Sequence, residues 1–133
     1  MKIFSALIVA GIIAAGASAA SAHHSAAPFD LGTQKTISGT VKQVDWTNPH
    51  TWVWIDVPND KNGVDTWGFE GMSPNYLGRR GWTKSTLKPG DKISIVYRPL
   101  RDGSLRDGSH GGMFVSAQRP SGEVLRMTGE PVD

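Results

Sequence analysis

The chain has 133 residues, no cysteine, and 14 Lys and Arg against 12 Asp and Glu, a formal net charge of +2. The lack of cysteine excludes a disulfide framework and lipid attachment at a cysteine. So small a charge also excludes the broad basic face that binding to a polyanion needs. Sixteen Gly and eight Pro are spread among short apolar segments, a composition that suits short strands joined by tight turns.

The first 22 residues, MKIFSALIVAGIIAAGASAASA, carry one positive charge at Lys2, an apolar run from Ile3 to about Ala15, and a tail of Ala, Gly and Ser. That order is a secretory signal. Small-x-small cleavage motifs occur at Ala17-Ser18-Ala19 and at Ala20-Ser21-Ala22. The unbroken apolar run is shorter than the ~20 residues of a membrane span, so cleavage rather than anchoring is expected. Removing 22 of the 133 residues leaves 111, a single-domain length that begins at His23 and carries a net charge of +1 once Lys2 is gone. The expected organisation is a signal peptide over 1–22, an extended arm over 23–35, a β-barrel domain over 36–128 and a tail over 129–133, with the mature protein in the periplasm.

The arm has no periodicity. In the first strand, 36–46, Ile37, Gly39 and Val41 share one parity and Val44 and Trp46 the other, which requires a bulge or bend. Gly39 is the expected place for it. Residues 47–50 (TNPH) form a turn, because Pro49 cannot donate to a ladder. The second strand, TWVWIDV, alternates strictly, with Val53, Ile55 and Val57 on one face and Trp52, Trp54 and Asp56 on the other. A hairpin turn at 58–63 follows, with Asn62-Gly63 expected to supply positive φ. The third strand places Trp67 and Phe69 together.

Ser73-Pro74 is a helix N-cap followed by proline at the first helical position, and Gly81 is a stop, giving a helix of about two turns. The fourth strand, 92–98, points Ile93, Ile95 and Tyr97 inward. In the fifth, Met113, Val115 and Ala117 alternate, and 123–127 extends the sheet. Three strands, one short helix and two or three further strands are the order of an all-β, five- to six-stranded OB-like barrel. A β-sandwich would need about seven strands and no helix at Ser73-Pro74.

The segments HHSAAPFD, WTNPHTWVWIDV, WGFEGMSPNYLGRRGWTKSTLKPGD and GGMFVS resemble the exported bacterial proteins grouped as domain-of-unknown-function family 6152. The most specific block is SPN-x-L-x-RRGW, residues 73–82, joined to LKPGD. The resemblance implies an exported domain that begins near His-His-Ser and forms a barrel of this kind. It carries no activity with it. The repeated RDGS motif in 101–109 lengthens the loop before the fifth strand.

Four histidines are candidate metal ligands: His23 and His24 at the expected new N-terminus, His50 in the first turn, and His110 in the last loop. A terminal histidine can chelate one ion through its α-amine and its ring, and such nitrogen donors suit Cu(II). About twelve extended residues reach up to ~40 Å, enough to carry His23 across a small barrel towards the other two. The plain alternative is a solvated terminus with His50 and His110 in structural positions. Trp52 and Trp54, with Asn48 in the adjoining turn, are candidate ligand-binding residues, because an outward indole pair can stack a planar or sugar ligand. Otherwise the helix or the arm is expected to cover them. Arg79, Arg80, Lys84 and Lys88 complement the helix end. No nucleophile-base pattern, HExxH or phosphate loop occurs. The sequence therefore points to a periplasmic, non-catalytic binding or accessory protein, with copper held at the N-terminus, a metal-free Trp-lined module for a small ligand or a periplasmic partner protein, or a copper-dependent redox enzyme as the readings to distinguish.

Overall fold

The computed structural model describes residues 26–102 and 110–128. Its strands are β1 (Lys35–Asp45), β2 (Trp52–Pro58), β3 (Val64–Glu70), β4 (Lys92–Pro99), β5 (His110–Gln118) and β6 (Val124–Arg126), with one helix, α1 (Pro74–Gly78), between β3 and β4. The sheet order is β3-β2-β1-β4-β5-β6, and a parallel pairing of β3 with β5 closes the first five strands into a barrel. The chain is thus the all-β, OB-like barrel with one short helix that its pattern predicts, with β6 added outside β5. Among the described residues no helix is long and apolar enough to cross a membrane.

Two strands, β1 and β5, divide their length between neighbours. Residues 35–40 of β1 pair with β4 and residues 40–45 with β2. Residues 110–113 of β5 pair with β3 and 116–118 with β6. The parity conflict in β1 is resolved at Lys42, where the register shifts between Val41 and Gln43, and not at Gly39 as expected. Gly39 has a different role. A Cβ there would lie 2.6 Å from the Asp56 carbonyl oxygen, so its bare backbone permits the crossing from β4 to β2. Lys35, assigned to the arm by the sequence, opens β1.

Val41, Val53, Ile55, Phe69, Ile93, Ile95 and Phe114 fill the interior. Each such side chain taken out of water contributes roughly 1.5–3 kcal/mol. The fifth strand departs from the expected alternation. Phe114 and Ala117 point inward, and a register shift opposite Val96 and Tyr97 leaves Val115 beside β6, where its carbonyl accepts from Met127 N at 2.9 Å.

Ser73 caps α1, its hydroxyl accepting from Tyr76 N at 3.3 Å, and Leu77 enters the core. The α-helix ends at Gly78, earlier than expected, but Gly81 (φ +85°) is the turn that returns Trp82 N to the Leu77 carbonyl at 3.1 Å. Trp82 then closes that end of the core, edge-on to Phe114 and donating Nε1 to Arg126 O at 3.0 Å. In the 58–63 turn only Asn62 takes positive φ, while Asn59 Oδ1 accepts from the backbone N–H groups of Lys61 and Gly63.

The described part of the arm is a strap along the end of β4. Phe29 is buried and bridges to Leu100, Asp30 N donates to Pro99 O at 2.8 Å, and Arg101 N donates to Pro28 O at 2.9 Å.

Candidate functional site

The strict alternation of β2 places Val53 and Ile55 inside and Trp52 and Trp54 outside. The two indoles stack with centroids 5.6 Å apart and planes 17° apart. Trp54 is in register with Gly68 of β3 and lies across it, so closely that a Cβ at 68 would stand 2.4 Å from its six-membered ring. On the other side, Trp54 Nε1 donates to Asp45 Oδ2 at 2.9 Å. Glycine beneath and carboxylate beside therefore fix one orientation of the ring.

Both indoles are half-buried, and neither packs on the core cluster. The helix and the arm, expected to cover them, are committed elsewhere: Leu77 and Tyr76 of α1 pack on the core, and the arm follows β4. The pair is sheltered by self-stacking and by Gly68. Carboxylates surround it. Trp52 is in register with both Asp45 and Glu70, and Asp56 lies two residues beyond Trp54, accepting from Thr66 Oγ1 at 2.8 Å and facing Lys42 Nζ at 3.6 Å.

Asn48 is exposed in the loop before β2, four residues ahead of Trp52. His50, in the same loop, directs Nδ1 to the Gly71 carbonyl at 3.0 Å and Nε2 to Glu70 Oε1 at 3.3 Å. Both ring nitrogens thus face oxygen acceptors. A metal at His50 would have to displace one of them or recruit Glu70 as a second ligand. The pairing of His50 with Glu70 escaped the sequence reading because they are twenty residues apart and meet only when β3 returns beside β2.

His110 opens β5, exposed, with its ring 5.0 Å from Trp67. Trp67 precedes Glu70 by three residues on β3, an odd step that puts His110 and His50 on opposite faces of the sheet. His23 and His24 lie outside the described residues. Among the described residues no group of three His, Asp or Glu side chains is placed to hold a metal ion.

A closed five-stranded barrel with an aromatic pair on the outer face of its second strand is the OB-like architecture. The chain belongs to the family of unknown function DUF6152, whose model matches residues 10–111. No curated protein matches the chain.

Proposed function

We propose that the chain is an exported, non-catalytic binding protein of the periplasm whose ligand stacks on Trp52 and Trp54. One observation carries the reading: two half-exposed indoles are held parallel, 5.6 Å apart, on the face that OB barrels use for ligands. A platform fixed by Gly68 and Asp45 loses little freedom when a flat ligand settles on it. Asp45, Asp56 and Glu70 favour neutral or cationic planar ligands and sugars and repel phosphates, which removes nucleic acid from consideration together with the small net charge. Tryptophan fluorescence of the mature chain, titrated with soluble oligosaccharides and planar heterocycles, tests it. A saturable change that Trp52→Ala and Trp54→Ala abolish and His23→Ala preserves is the expected result. No change across the panel, or equal binding by the Trp variants, refutes it.

A second reading, copper held at a mature N-terminal His23 with His24 and His110, is favoured by where the arm is rooted. Phe29 bridges to Leu100 while Pro99 pairs with Gly112, so the segment leading back to His23 starts at the barrel end where β5 begins with His110. A chain starting at His23 is expected to bind Cu(II) far more tightly than one bearing an extra N-terminal Gly, and equal affinities refute this reading. The copper-dependent redox enzyme shares these ligands, and no observation favours it over simple binding.

A further inference from the structure

A cavity of about 700 Å³ opens at the barrel mouth between the arm and the ends of β1, β4 and β5, lined by Lys35, Trp67, Tyr97, Asp30, Arg101 and Asp102 among others. Its size falls within the ~300–1,000 Å³ of small-ligand sites, and barrel mouths are a recurrent place for them. The floor is aromatic. Trp67 lies 6.3 Å from Phe69, 6.1 Å from Tyr97 and 5.0 Å from the His110 ring, and it remains only half-buried although it sits on the inward row of β3.

Lys35 occupies an unusual position above this floor. Its partner across the ladder is Tyr97, and Ile37 pairs with Ile95 two residues on, so Lys35 continues the inward-facing row of β1 to the exposed rim of the mouth. Among the described residues its ammonium makes no hydrogen bond and no ion pair. The other lining charges are engaged. Asp30 accepts from Gly32 N at 3.1 Å and from the Thr33 hydroxyl at 2.7 Å, Arg101 donates Nε to Ala27 O at 3.1 Å, and Asp102 also has a partner. The mouth therefore combines an aromatic floor with one uncommitted ammonium.

We propose that this mouth is a binding site for a small aromatic carboxylate, its ring against Trp67 and His110 and its carboxylate on Lys35 Nζ. The site is independent of the Trp52/Trp54 platform, because Trp67 and Gly68 point to opposite faces of β3. Calorimetric titration of the mature chain with benzoate and with its neutral counterpart benzamide tests it. Benzoate should bind about tenfold or more tightly than benzamide, the size of one charge-assisted contact. Lys35→Met should reduce benzoate to the level of benzamide with no change in melting temperature, and Trp52→Ala should leave both affinities as they are. Amide shifts induced by benzoate should centre on Lys35 and His110. Equal binding of the two compounds, no benzoate binding at millimolar concentration, a preference that survives in Lys35→Met, or shifts centred on Trp52 would each overturn the proposal.

Discussion

Gly68→Ala probes the platform directly. The new Cβ would stand 2.4 Å from Trp54 Cζ3 and 2.8 Å from Cε3 and Cη2. Ordinary carbon contacts need about 3.5 Å, so the indole must retreat by roughly 1 Å. That movement disturbs its bond to Asp45 and its stack on Trp52. The ring pair is worth about 0.5–1.5 kcal/mol, and the bond to a half-exposed carboxylate about 1 kcal/mol. Alanine in a strand returns roughly 0.5–1 kcal/mol relative to glycine. The net loss is about 0.5–2 kcal/mol, at a fall in Tm of roughly 4–8 °C per kcal/mol. Urea unfolding gives the stability, and near-ultraviolet circular dichroism reports the Trp52–Trp54 arrangement. In a Trp54→Ala background the same substitution should be neutral or slightly stabilising, since nothing remains for the methyl to displace. Equal destabilisation in both backgrounds would refute the reasoning.

Gly112→Ala should cost more, at or above the top of the roughly 1–3 kcal/mol range for overpacking, because its Cβ would meet the Arg98 carbonyl oxygen at 2.2 Å and backbone cannot swing aside as an indole can; urea midpoints measure it. Thr51→Val should stabilise by about 1 kcal/mol, since the Thr51 hydroxyl is buried without a partner among the described residues and valine has nearly its shape; a lowered urea midpoint would contradict this. The Lys88 backbone N–H, with help from Arg119, holds the Asp91 carboxyl below the ordinary aspartate range. A depressed carboxyl pKa gives stability that is present above the unfolded value and lost as pH falls through the folded one. The deficit of Asp91→Asn against the wild-type chain should therefore be constant near neutrality and shrink below about pH 4, as urea midpoints across that range would reveal.

The strand order, the two faces of β2 and the cap at Ser73 were legible because each rests on a local signal: period-2 alternation, an Asn-Gly turn, a serine before proline. What stayed hidden depends on partners distant in the chain. The bulge fell at Lys42 instead of Gly39 because the register of β1 is set by Trp54 and Ile55 across the ladder. The inward row of β5 is not legible in the sequence, because Met113, Val115 and Ala117 alternate in hydropathy while β6 buries Val115 from outside the barrel. Trp52 and Trp54 were visible as a pair, but their orientation needed Gly68 and Asp45, which no spacing links to them. Lys35 read as the end of a polar arm, and only its register with Tyr97 turns it inward.

Both candidate sites depend on β3, and its place in the sheet explains how one short strand can serve two surfaces. It is hydrogen-bonded on both sides, to β2 along its whole length and to β5 over residues 67–70, so it has no edge to fray at the point where Trp67 and Gly68 diverge. A half-buried strand on an open sheet would show one apolar and one polar face. Here the inner face ends in an incompletely covered Trp67 at the barrel mouth, and the outer face supplies the glycine on which Trp54 rests. Tryptophan at 67 suits a strand and packs on the core, whereas strand preference alone would favour a β-branched residue at 68. Of the two, Gly68 is the residue that departs from strand preference, and it is the one on which Trp54 rests, so its place in β3 follows from the outer aromatic pair and not from strand propensity.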